Sequence, residues 1–440
     1  MNEAIRIRGG RIIDPYRGVD RNDEDVWIAD GRFQTAEECA GRSLRTWDAQ
    51  GLWVVPRLVD MHVHLREPGQ SHKETIATGS QAAANGGIAV IAAMPNTTPV
   101  VDTPELVEWV KLRAKTVDLV RVWPIGAVSV RSESEELADL YRMQQTGAVA
   151  FSDDGKPVVS GGLMRAALTY SATLTGPIIS HAQDPTLSAG AVVHEGQNAG
   201  RLGLSGMPEA AESVMVWRDV ILAGLTGGRL HVAHVTAPES LEALSYARAR
   251  AIRVSAEAAP HHLLLTDDAL QEWGYDPVTK VNPPLRPDAS RTALIEAIRS
   301  GLVEVVASDH APHHADEKAR PYSDAPFGIS GLETLLSGVI TAIINPGLLS
   351  PLDGLALLTR GPHHALNIPY RGIEVGEVAD VTLIDPKRRW EVDPNKFYSL
   401  GHNTPLAGHA LVGQAVATIV GGRVVMEDGE VLHAGLSNLS

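Results

Sequence analysis

The segment "LVDMHVHL", residues 58–65, sets two histidines, His62 and His64, inside an otherwise apolar run. Apolar runs this short read as buried strands. Side chains at i and i+2 of a strand point to the same face, so this strand presents two imidazoles side by side. Unpaired buried polar groups are costly, and neutral imidazole is a common metal ligand. The pair reads as half of a metal site.

Seven further short apolar runs follow: "GIAVIAAMPN", "VRVWPIGAVS", "GAVAFSDDG", "GPIISHAQD", "LHVAHVT", "IRVSAEAAPHH" and "VEVVASDHAPH". Helix-like segments lie between them, among them "TPELVEWVKLRAK", "ESEELADLYRMQQTG" and "AAESVMVWRDVILAGLTGG", several closed by the glycine that commonly stops a helix. Strands alternating with helices imply a parallel sheet, and near-continuous apolar strands imply burial on both faces. Eight such units predict an α/β fold, a (β/α)8 TIM barrel. No G-x-G-x-x-G or G-x-x-x-x-G-K-[ST] sequence follows the first strand, which removes the usual nucleotide site of an open doubly wound sheet. The ends have another texture. "AIRIRGGRII" and "DVWIADGRF" near the start, and "ADVTLIDP" and "AVATIVGGRVVMEDGEVL" near the finish, read as short strands with Gly-Gly and Asp-Gly turns. Neither end is large enough for a core of its own. The expected organisation is one small, sandwich-like β domain built from residues 1–55 and 369–440, and a hydrolase barrel over 56–368.

The net charge of −15 argues against nucleic acid or an anionic membrane surface as partner, while leaving room for a small anionic substrate bound by local cations. A single cysteine, Cys39, excludes an internal disulfide and a cysteine zinc site. The start carries no signal-like apolar region, and no run approaches the ~20 residues of a membrane span. The cytoplasm is the expected compartment.

Polar residues cluster at the strand ends: His62 and His64, Asn96, Asp153 and Asp154, His181, His231 and His234, His261 and His262, then Asp309, His310 and His313. In a barrel those ends converge on one mouth, where active sites form. Four good histidine candidates and two carboxylates exceed the three protein ligands usual for one catalytic zinc. They suit two metals ~3.5–4 Å apart. In "GAVAFSDDG", Asp154 shares parity with Ser152, Ala150 and Ala148, the small residues expected to face the crowded mouth. That favours Asp154 over Asp153.

"DMHVHLREPGQSHKETIATGSQAAANGG", "MPNTTPV", "FSDDG", "HAQD", "VHEG", "HVAHVT", "PHHLLLTD", "VNPPLR", "SDHAPH" and "PFGISGLET" occur in order between about residues 5 and 422. This series resembles the bacterial class I dihydroorotases of the amidohydrolase superfamily. The first motif alone is shared with hydantoinases and allantoinases; its combination with "FSDDG", "NPPLR" and "SDHAPH" is far more specific. The resemblance implies two Zn2+ per subunit, held by His62, His64, Asp154, His181, His234 and Asp309. It implies substrate contacts from His64, Arg66, Asn96, Asn282 and His313, with Phe327 and Gly328 beside them. The implied reaction is the reversible cyclisation of N-carbamoyl-L-aspartate to L-dihydroorotate and water in pyrimidine biosynthesis, through a zinc-activated bridging hydroxide with Asp309 as general acid/base. Relatives of other types place a carboxylated lysine between the metals; Lys156 is the nearby candidate for that role here. One departure is Arg57, where the family usually has glycine, which puts a local turn in doubt. A homodimer is expected, and association with an aspartate transcarbamoylase is an open possibility. Two alternatives stay in view: another cyclic amidase of hydantoinase or allantoinase type, disfavoured by Asp154 with Arg66, and a barrel acting as scaffold for a transcarbamoylase.

Overall fold

The computed structural model describes residues 4–432. The extremes of the expected terminal β domain, residues 1–3 and 433–440, lie outside the described residues. The middle of the chain forms eight parallel strands: β1 (Val59–Val63), β2 (Val90–Ala93), β3 (Arg121–Gly126), β4 (Ala150–Ser152), β5 (Ile178–Ser180), β6 (Leu230–Val232), β7 (Val254–Ala258) and β8 (Val305–Val306). They neighbour one another in chain order. Past β8 a parallel bridge between Val63 and His310 brings the last strand back to the first, and the His64 N–H donates to the His310 carbonyl at 2.8 Å. Each strand is the apolar run read from the sequence. The barrel interior is filled by Met61, Ala92, Ile125, Ala150, Ile179, Ala233, Val305 and Ala307, all buried.

Helices Ile76–Asn85, Pro104–Val117, Gly161–Ser171, Ala210–Thr226, Pro238–Ala249 and Asp288–Arg299 pack outside the strands. One expected helix is shorter than its pattern. "ESEELADLYRMQQTG" is helical only over Leu140–Thr146. Asp139 caps that helix by accepting from the Arg142 N–H, and upstream Leu137 pairs with Ser129 as an isolated antiparallel bridge. The backbone ahead of Asp139 is thus committed to an extended contact that the helical period could not reveal.

Both ends of the chain meet in one nine-stranded sheet. Trp53–Pro56 is its hinge, pairing parallel with Ala4–Asp14 and antiparallel with Val381–Glu391. Its apolar residues, among them Ile7, Val26, Ile28, Phe33, Val54, Leu383 and Ile419, form a core distinct from that of the barrel.

Arg57 lies between the hinge strand and β1. It is absent from the residues with left-handed backbone, so no glycine-requiring turn is needed there. Its guanidinium is buried, 2.8 Å from Asp380, and lies over the Tyr370 ring at 3.9 Å. Asp380 is fully buried and also meets Arg121 and the Gly421 N–H. Removing Arg57 takes the more deeply buried of these two cations from Asp380 and leaves the carboxylate to the partly exposed Arg121. Arg57→Ala is therefore expected to cost about 3 kcal/mol, read as a lower urea midpoint with kcat unchanged, because Arg57 sits at the end of β1 away from His62.

Candidate active site

β1 carries His62 and His64 to the mouth, where β4, β5, β6 and the segment after β8 bring Asp154, His181, His234 and Asp309. All six are buried or nearly so. Asp154 is the centre. Its Oδ2 lies 3.4 Å from His62 Nε2 and 3.3 Å from His64 Nε2. Its Oδ1 lies 3.2 Å from His181 Nδ1 and 3.6 Å from His234 Nε2. The two oxygens of one carboxylate thus face two separate imidazole pairs, each trio compact enough to hold an ion. Asp309 Oδ1 stands 3.4 Å from the Nε2 atoms of both His62 and His64.

These separations test the fit of a metal. Two donors each 2.0–2.1 Å from a tetrahedral ion lie about 3.4 Å apart, close to the observed spacings. His62 Nε2 is buried and has no hydrogen-bond partner, as a nitrogen aimed at an ion would be. Nitrogen and carboxylate donors suit a divalent transition metal. The residues fit a metal. Burial opposes charge on His62, His64, Asp154, His181 and Asp309. Even so, His62 is raised well above its ordinary value by Asp154, Glu257 and Asp309, and Asp154 is lowered well below its own by His62 and His181. His64, by contrast, is lowered, chiefly by burial.

The neighbouring aspartate is otherwise engaged. Asp153 accepts from the Val128 and Ser129 N–H groups and the Ser129 hydroxyl. Lys156 is exposed.

A second group flanks the cluster. Arg66 is buried; its Nε donates to the Pro312 carbonyl at 3.2 Å and its Nη2 is 3.4 Å from His313 Nε2. Burial pulls the Arg66 pKa to about 10 against the pull of Asp309 and Asp154. His313 Nε2 donates to the Phe327 carbonyl at 2.8 Å. Burial, with Arg66, Lys73 and Lys318 nearby, pushes its pKa to about 2, so the imidazole is neutral. Asn96 Oδ1 is 2.8 Å from His64 Nδ1, and Asn282 Nδ2 donates to Gln183 at 2.8 Å beside His181. The Gly328 N–H is spent on the Lys280 carbonyl. Arg66, His234 and Asp309 all adopt left-handed backbone, φ 59°, 31° and 48°, which costs about 1–3 kcal/mol per non-glycine residue and clusters at functional sites.

Some residues at the site are not apparent from the strand-end pattern. Glu257 on β7 places Oε1 2.5 Å from His62 Nδ1 and Oε2 3.2 Å from His231 Nε2, and His231 is itself held by the Ser255 hydroxyl at 2.7 Å. Asp60 accepts from the His62 and Ser308 N–H groups beneath them. Both are acids inside apolar strands, the same anomaly that singles out His62 and His64. His310 is tied to Glu74 and the Gly331 N–H.

A barrel whose mouth converges on histidines and aspartates fitted to metal defines a class, the metal-dependent barrel enzymes. Residues 51–240 match the family model described as dihydro-orotase-like. The dihydroorotase of Pelotomaculum thermopropionicum is 48% identical over 96% of this chain and 99% of its own. That of Anaeromyxobacter sp. (strain K) is 45% identical over 98% and 99%. Among solved structures, an L-hydantoinase (dihydropyrimidinase) from Arthrobacter aurescens superposes with a TM-score of 0.86 at 27% identity, covering 97% of each chain. The chain belongs to the dihydroorotase family.

Proposed function

We propose that this chain is a class I dihydroorotase of the amidohydrolase superfamily, interconverting N-carbamoyl-L-aspartate and L-dihydroorotate at a two-zinc centre held by His62, His64, Asp154, His181, His234 and Asp309. One observation carries the two-metal reading: the oxygens of Asp154 divide between the His62–His64 pair and the His181–His234 pair. Divalent metal held by these donors would supply Lewis acidity toward a carbonyl oxygen and lower the pKa of water to about 7.

The protein's own groups do the rest. Arg66 suits the substrate carboxylate because its planar fork pairs with two oxygens. Neutral His313 and the amide of Asn96 complete that pocket. Asn282 and the Phe327–Gly328 backbone wall the ring. In the hydrolytic direction Asp309 accepts the proton of the attacking water and returns it to the ring nitrogen as the amide C–N bond breaks. In the synthetic direction it takes that proton from the carbamoyl nitrogen. A free carboxylate oxygen beside the reacting atoms is what such a relay requires.

The same reading includes a cytoplasmic homodimer, able to associate with an aspartate transcarbamoylase. It includes a division at residues 55/56 and 368/369, supported by the separate apolar core of the terminal sheet. Among the described residues no helix is long and apolar enough to cross a membrane.

The test strips metal from the protein and restores zinc in steps, following dihydroorotate hydrolysis against zinc bound per chain. Activity is expected to rise as the second zinc binds. Saturation at one would remove the bridging role of Asp154, and inactivity at full loading would turn attention to hydantoin and allantoin.

A further inference from the structure

One wall of the barrel mouth is supplied from outside the barrel. Between Val381–Glu391 and Ala410–Val420 of the terminal sheet, the chain leaves the sheet and runs across the mouth. It is pinned at Ser399, whose hydroxyl donates to Glu74 at 2.5 Å, and at Gly401, whose carbonyl accepts from the Ser330 hydroxyl at 2.7 Å. The approach at Gly401 is so close that a Cβ there would stand 2.4 Å from Pro312 and 2.8 Å from the Ser330 hydroxyl. Pro312 immediately precedes His313, and its carbonyl receives Arg66.

Next comes Asn403, 5% exposed. Its Oδ1 accepts from the His313 N–H at 3.0 Å and lies 3.2 Å from the Ser330 hydroxyl, whose one proton it shares with the nearer Gly401 carbonyl. Its Nδ2 donates to the Gly328 carbonyl at 2.9 Å and the Ala311 carbonyl at 3.4 Å. Its own carbonyl takes the Ser330 N–H at 2.8 Å. One planar amide thereby ties the strand extension that carries His313 to the loop that carries Gly328. Gly328 has no slack, since a Cβ would meet the Ala311 carbonyl at 2.6 Å. The task calls for an acceptor and two donors in one short side chain, which asparagine provides and aspartate does not.

We infer that Asn403 is a positioning residue for substrate binding: through its amide the terminal sheet sets the spacing between His313 and the Phe327–Gly328 wall. This rests on the assignment of those residues as substrate contacts under the proposed function. Asn403 reaches none of the metal-ligand side chains by hydrogen bond, so it governs affinity more than turnover.

The test uses the full-length, metal-loaded enzyme. Asn403→Asp keeps the shape and the acceptor but sets a carboxylate oxygen against two carbonyls; Asn403→Ala removes both functions. Each is expected to raise KM for dihydroorotate about tenfold with kcat within about threefold and with metal per chain unchanged. Ser330→Ala, which loosens the Asn403 oxygen and releases Gly401, gives the same KM-only signature, about threefold. It serves even if the Asn403 variants are recovered poorly. His313→Ala is the control. If it raises KM while Asn403→Asp and Ser330→Ala do not, or if those two lower kcat and metal content at unchanged KM, the inference is overturned. If His313→Ala leaves KM unchanged, it is the substrate-contact assignment that fails.

Discussion

Asp309→Asn is expected to lower kcat for dihydroorotate hydrolysis by about 10²–10⁴-fold, the usual contribution of a positioned acid–base group. Asp309 Oδ1 is 3.4 Å from both β1 imidazoles, and burial is overcome by His62, His64 and His234, which hold its carboxyl far below the ordinary range. The group is therefore ionised before the step, as a proton acceptor must be. The amide of asparagine keeps an oxygen where the carboxylate had one but accepts no proton near neutral pH. Because Asp309 is also a proposed metal ligand, metal affinity should weaken as well, so the comparison is made at saturating metal, where the loss should sit in kcat in both directions of the reaction. Turnover within about tenfold of the unmodified enzyme, at equal metal content, would take the proton relay away from Asp309.

Glu257→Leu is expected to weaken metal binding about 10–100-fold. Glu257 touches no metal position itself. It fixes the Nδ1 side of His62 at 2.5 Å, leaving Nε2 aimed at Asp154 and Asp309. Burial raises the Glu257 pKa, but His62 and His231 outweigh it and bring it to about 2, so a full negative charge backs the imidazole. The leucine variant also leaves His62 and His231 without their shared acceptor, at about 1–3 kcal/mol per stranded group. Glu257→Gln keeps an acceptor without the charge and should fall between. Competition with a chelator of known affinity reads the first effect and thermal denaturation of the metal-free protein the second. Unchanged metal affinity in both variants would assign Glu257 to packing alone.

The parts of this molecule legible in its sequence are those governed by short periods. Eight apolar runs mark eight strands because each is buried on both faces. The two-residue spacing of His62 and His64 places both imidazoles on one side. The parity of Asp154 separates it from Asp153, which turns to Val128 and Ser129 instead. What stayed hidden depends on partners distant along the chain. Glu257 is one charge in "VSAEAA", and its meaning appears only when the barrel closes and brings it to His62 on β1. Asn403 lies in a stretch with no strand or helix period, and only the folded terminal sheet carries it to His313. Arg57 looks like a misfit beside the family's glycine until Asp380 and Tyr370 surround it. The early part of "ESEELADLYRMQQTG" has a helical composition, but Asp139 caps the helix late and Leu137 is engaged with Ser129.

The bridge from Val63 to His310 has a consequence for the order of events during synthesis. Of the proposed metal ligands, His62 and His64 are made first, while Asp309 and the strand extension that closes the barrel emerge far later. Loop closure over so long a span is slow and precedes its reward. The wall held by Asn403 comes later still. The proposed coordination site thus stays unfinished from the synthesis of β1 until the segment that carries Asp309 has been made, and the wall at Asn403 joins only after that.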